Sequence, residues 1–243
     1  MRTPAVVASL AALLAACGPN ASTDEAAVPD DSVNPPISEA ADPAAPPAAT
    51  TDPAAAPVEG EQGGVADWRA VASAEDASRL GRLDQAWRLG RAEAEDKGFA
   101  DEVEALGVLV DPNAARTGQL QPAPGAWRCR TIKLGSNSPG GLGYVEYPFF
   151  RCSIELTPGG DLILTKTTGS QRTRGLLYPD TDRRLVYIGA QAWGSDETGW
   201  PRYGQMPERD QIGVFERIGA QRWRLVLPWP KQESKLEILE LVR

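Results

Sequence analysis

Lys166, Gln171 and Arg172, gathered around the turn Gly169-Ser170, are the residues best suited to holding a ligand. An ammonium, an amide and a guanidinium so close in sequence offer several donors to a carboxylate or phosphate, and the glycine permits close backbone approach. Tyr187, Trp193, Trp200 and Tyr203 are the aromatics that could line an open end beside them. Glu216 has a structural reading instead. It alternates with Ile212, Val214 and Ile218, so on an inward face its carboxylate needs a cation. Arg172, Arg174, Arg222 and Arg224 are the candidates, and Arg224 is the partner expected.

The chain contains no histidine, which removes the commonest general base and metal ligand. Catalysis would have to come from paired carboxylates, a Ser or Lys nucleophile, or a metal held by oxygen ligands. Asp180-Thr181-Asp182 has the spacing of a calcium-loop fragment but lacks the continuing acids and closing Glu, so it reads as a polar hairpin turn. Asp196-Glu197 reads as a solvated loop pair. No catalytic residue, metal site or cofactor is expected, and the chain reads as non-enzymatic. A histidine-free enzyme would need carboxylates clustered at one open end.

The elements that must position these residues are set by hydrophobic period. From residue 125 onward short apolar alternations separated by turn clusters predict strands at 125–134, 144–156, 161–167, 171–178, 183–193, 210–218, 221–228 and 235–242. Strands of this length and spacing predict a mainly β fold, an antiparallel sandwich or closed eight-stranded barrel over residues 113–243. The long links 135–143 and 194–209 are the places to look for function, since loops on a rigid scaffold carry it disproportionately. Residues 67–112 instead have helical period, with Leu80, Leu83, Trp87 and Ala94 on one face. Ser73 with Asp76 resembles a capping box, Lys97-Gly98 reads as a stop, and a second short helix is expected over 100–106. This segment holds 11 acids and 6 bases, whereas residues 113–243 hold 13 and 18, so complementary charge favours docking of the helices on the barrel.

The N-terminus sets the compartment. Arg2, an apolar run too short to cross a bilayer, and Leu14-Ala15-Ala16-Cys17 resemble the signal peptide and lipidation box of a bacterial lipoprotein. Residues 1–16 are then removed and Cys17 carries the acyl chains, anchoring the protein to a membrane. Gly18 in place of Asp points to the outer membrane, periplasmic face. Residues 17–66 are Ala/Pro-rich, hold nine acids and no Lys or Arg, and read as a disordered linker with a reach of roughly 40 Å. With Cys17 lipidated, two thiols remain in an oxidising compartment, each on an apolar strand face, which predicts a Cys129–Cys152 disulfide.

Gly125-Ala126-Trp127 opening the first of eight strands, with cations around Trp223 in the seventh, resembles the arrangement of lipocalin-like barrels, in which an early Trp packs against a late Arg. The stretches Trp127-Arg128-Cys129-Arg130, Phe150-Arg151-Cys152, Gly175-Leu176-Leu177-Tyr178-Pro179 and Arg222-Trp223-Arg224 through Pro228-Trp229-Pro230 are similar to an uncharacterised alphaproteobacterial lipoprotein family known only as a domain of unknown function. The resemblance covers residues 67–243 and implies no activity.

Residues 67–243 carry 24 acids and 24 bases, and the acidic linker would repel phosphates, so nucleic acid is not an expected partner. The expectation is a non-catalytic cell-envelope module that binds a small apolar or anionic ligand, or a peptide, at a barrel end bordered by Lys166, Gln171, Arg172, Tyr187 and Trp193. The alternative is a structural or assembly lipoprotein that recognises another envelope protein through the helices or the 194–209 loop. By architectural analogy alone, a protease-inhibitor-like module is a further alternative.

Overall fold

The computed structural model describes residues 67–243, so the segments expected to be a signal peptide and a linker, and Cys17 between them, lie outside the described residues. Nine antiparallel strands come after a helical segment: β1 Gly125–Leu134, β2 Tyr144–Glu146, β3 Phe150–Leu156, β4 Leu162–Lys166, β5 Gln171–Pro179, β6 Arg184–Trp193, β7 Asp210–Gly219, β8 Arg222–Pro228 and β9 Leu236–Val242. From β3 to β9 each pairs with the next, and β9 returns to β1 from Arg128↔Val242 to Leu134↔Leu236, closing the sheet into a barrel of eight staves. The stave next to β1 is shared. β3 pairs with the first half of β1 and β2 with the second, where one continuous strand over 144–156 was expected. The break falls at Pro148, which has no N–H to give the ladder, directly after Tyr147 N donates to Thr131 O at 2.9 Å.

Alternation gives most staves two buried faces, although β3 leaves Arg151 and Glu155 exposed on its outer side. Trp127, Cys129, Ile154, Leu164, Phe215, Leu225 and Leu241 point inward into one apolar cluster drawn from all eight staves. Gly175 and Gly189 face each other across β5 and β6 on that side, and a Cβ on either would strike the Tyr187 side chain, so the flat wall makes room for this fully buried tyrosine. Inside the apolar end the Trp127 and Trp223 rings meet edge to face at 5.2 Å, with Arg243 over Trp127 and Arg217 over Trp223. The Cys129–Cys152 disulfide ties β1 to β3 in the same cluster. Replacing both cysteines by alanine should lower stability by about 3 kcal/mol through lost cross-linking of the unfolded chain, read as an earlier urea midpoint. An unchanged midpoint would mean that the bridge does not form in solution.

The opposite face of the staves is covered by α1 Trp68–Val71, α2 Ala74–Gly81, α3 Leu83–Ala94, α4 Ala100–Ala105 and a 3₁₀ turn Gly107–Val110. Ser73 caps α2 by accepting from Asp76 N at 3.1 Å. Gly98, with φ +90°, breaks the path between α3 and α4. Trp87, Val103 and Leu109 bury Ile132, Ile212, Val214 and Ile238. Gly90 lets α3 approach this wall, since a Cβ there would lie 3.0 Å from Leu134 O and 3.2 Å from Leu236 Cβ. Charge joins the layers as well: Lys235 pairs with Glu93, Lys231 with Glu75, and Asp180 accepts from Trp68 Nε1 at 2.8 Å.

Candidate functional site

The barrel interior is apolar at one end and polar at the other. Continuing inward positions of β1 past Cys129 are Thr131 and Lys133; β4 adds Lys166, β5 Gln171 and Thr173, β6 Gln191 and Trp193, β7 Gln211, and β9 Glu237. Register brings them to one rim, with Lys133 opposite Glu237, Gln171 opposite Trp193 and Thr173 opposite Gln191. The loops 135–143, 167–170, 194–209 and 229–235 leave the strands at this rim.

Two ammonium groups are sunk into the rim, and their surroundings differ. Lys133 Nζ donates to Gln171 Oε1 at 2.7 Å and to the Glu233 carboxylate. Burial lowers the Lys133 pKa, but the nearby charges of Glu237 and Glu233 outweigh it and raise it. Lys166, only 6% exposed, donates to the Gln171 carbonyl oxygen at 2.8 Å and lies 4.3 Å from the Phe150 ring centre. It forms no ion pair among the described residues, and burial holds its pKa below the usual lysine range. Gln171 extends its Nε2 to Gln232 and Glu233 at 3.2 and 3.1 Å. Glu237, 7% exposed, accepts no hydrogen bond at its carboxylate among the described residues, and burial pushes its carboxyl up. Beside Lys166 and Gln171 lies a cavity of about 170 Å³, lined also by Thr131, Tyr147, Phe150, Ser170 and Glu233. A wider cleft of about 370 Å³ adjoins it under the 135–143 loop, sharing Tyr147 and Glu233.

Of the ligand candidates read from sequence, the rim gathers Lys166, Gln171 and Trp193. Tyr187 sits deeper, its hydroxyl 2.6 Å from Thr173 Oγ1, which also reaches Gln211. Arg172 is a correction: adjacent strand residues face opposite sides, so with Gln171 inward Arg172 points outward. There its guanidinium donates to the carbonyls of Gly194 and Glu197 and lies 5.1 Å from the Trp200 ring, pinning the 194–209 loop. Trp193 Nε1 donates to Gln191 Oε1 at 3.1 Å with Arg209 over its ring. Lys133, Glu233 and Glu237 escape the sequence reading, although Lys133 continues the Trp127–Cys129 alternation.

Glu216 and Arg224 lie on the helix-covered outer wall, not inside the barrel, because Phe215 and Leu225 take the inward positions. Arg224 Nε donates to Glu216 Oε2 at 2.8 Å, and its Nη1 donates to Leu109 O and Asp111 O, both at 2.8 Å. Asp180 accepts from Arg184 Nε at 2.7 Å, and Glu197 pairs with Arg209, so both carboxylates serve loop structure. Among the described residues no group of three metal-binding side chains converges.

Fold and rim together define a helix-clad, closed antiparallel barrel with one polar end. A family model described as a domain of unknown function, DUF4893, matches residues 68–241, and the chain belongs to that family. No curated protein and no solved structure gives a match.

Proposed function

We propose that this protein is a non-catalytic, lipid-anchored module of the cell envelope that binds a small polar molecule at the polar end of its barrel. Lys166 carries the reading: a buried ammonium with no ion-pair partner among the described residues lines an open cavity of about 170 Å³. Glu237 offsets part of the cost of burying this cation without pairing with it, and a ligand that supplies the missing acceptors offsets more. The test is native mass spectrometry of the protein taken from its own envelope, set against the denatured mass. A stoichiometric extra mass lost on denaturation supports binding. Identical masses favour the second reading, recognition of another envelope protein, to which Leu142, 70% exposed beside the same rim, and the exposed Tyr147 and Phe149 lend an apolar surface.

Anchorage rests on Leu14-Ala15-Ala16-Cys17. Replacing Cys17 by serine should abolish labelling by radioactive palmitate, since the thiol that takes the lipid is gone. Labelling that persists in the variant would remove the lipoprotein reading.

A further inference from the structure

Glu233 does at Lys133 what no carboxylate among the described residues does at Lys166. It belongs to the 229–235 loop, and its side chain is 55% exposed, yet its carboxylate reaches over the rim to the buried Lys133 ammonium and to Gln171 Nε2. The backbone that places it there is unusual. Glu233 has φ +65° and Trp229, in the same loop, φ +49°, conformations that L side chains rarely adopt. Glu233 and Tyr147 line both cavities, so the loop carboxylate stands where the two spaces meet.

The smaller cavity therefore has a cation with spare donor capacity at Lys166, an amide at Gln171, hydroxyls at Thr131 and Ser170, and two aromatic walls at Tyr147 and Phe150. Lys166 uses one of its three N–H groups on the Gln171 carbonyl. An ammonium beside an aromatic wall is matched by a carboxylate on a flat apolar body, whose charge meets the cation while the body covers the rings. A carboxylate entering here also approaches Glu233 and is repelled by it. Resting on the binding role proposed above, we infer that the polar end takes a small monocarboxylate with a flat apolar body, and that Glu233 is the resident carboxylate against which it competes.

Benzoate and its uncharged counterpart benzamide are the probes, titrated by calorimetry into the full chain, the Lys166→Met variant and the Glu233→Gln variant. Benzoate should bind the full chain and benzamide should not. Lys166→Met should lose benzoate binding while keeping its near-ultraviolet circular dichroism. Glu233→Gln, an isosteric change on a half-exposed loop side chain, should tighten benzoate about tenfold. Equal binding of benzoate and benzamide, or weaker benzoate binding in Glu233→Gln, overturns the inference. So does failure of benzoate to bind any of the three proteins. Native mass spectrometry separates the two levels: a bound mass that is not a carboxylate overturns the ligand class and leaves the binding role standing, whereas no bound mass and no probe binding remove both.

Discussion

Replacing Arg224 by methionine should destabilise the protein by about 3–5 kcal/mol, because it breaks a buried ion pair from one side. Arg224 is fully buried, and Glu216 is only 7% exposed. The guanidinium satisfies that carboxylate and also gathers the carbonyls of Leu109 and Asp111, which close the helical segment, while lying 5.1 Å from the Trp87 ring. Methionine fills much of the volume but leaves Glu216 uncompensated, Leu109 O without its donor and Asp111 O with Ala114 N alone. Urea unfolding monitored by tryptophan fluorescence measures the loss, and hydrogen exchange should show it first around 107–111. Removing Glu216 as well, as Arg224→Met with Glu216→Leu, should recover a large part, since apolar replacement of a whole buried pair is often near neutral. A loss below about 1 kcal/mol in the single variant would mean that water reaches Glu216 once the arginine is gone.

Much of this architecture is legible in the sequence because alternation and turn residues are local signals. The strand read over 125–134 matches β1, and that over 210–218 falls one residue short of β7. Pro148 is equally visible, and its missing N–H is why 144–156 forms two strands. What alternation cannot decide is which face is inside when both are buried. In β7, Ile212, Val214 and Ile218 meet helices while Phe215 meets the interior, so the inward face considered for Glu216 is the wrong one. The polar rim is half legible. Lys166 and Gln171 stand out beside a glycine turn, and period two alone separates Gln171 from Arg172. Glu233 and Glu237 join them only because β9 closes onto β1, a pairing between distant segments.

Asp76→Asn is the other change with a large expected effect, and its pH dependence identifies the cause. Asp76 is fully buried; its Oδ1 accepts from Arg79 Nε at 3.0 Å and its Oδ2 from the Tyr203 hydroxyl. Arg79, itself 5% exposed, also donates to Trp229 O and Asp210 O, so one carboxylate, holding the 194–209 loop through Tyr203, balances a cation that joins α2 to the 229–235 loop and the start of β7. Asparagine keeps the shape and removes the charge, and about 3 kcal/mol should be lost at neutral pH. Burial alone would raise the Asp76 pKa, but hydrogen bonds from Tyr203 and Arg79 outweigh it and hold the carboxyl below its ordinary 3.8. The same contact, after burial, raises Tyr203 to about 12. A depressed carboxyl stabilises the folded state above its unfolded pKa, and that contribution is lost as pH falls through the folded value. The contribution of the Asp76 charge to the gap between wild type and Asp76→Asn should therefore hold from pH 7 to about 4 and narrow below 3.8. Glu93, where hydrogen bonds from Lys235 and Lys97 overcome burial and hold the carboxyl at about 2, weakens both proteins equally as pH drops below 4.5 and leaves the gap unchanged. Asp210 works the other way. Burial, then the neighbouring Asp76 charge, raises its pKa, so its ionisation costs stability as pH climbs above 3.8, and the variant, lacking that charge, should feel this less. Thermal unfolding of both proteins between pH 2 and 7 reads these limbs directly. A gap that stays constant down to pH 2 would mean that the charge of Asp76 contributes nothing and that its hydrogen-bonding shape alone secures the two loops.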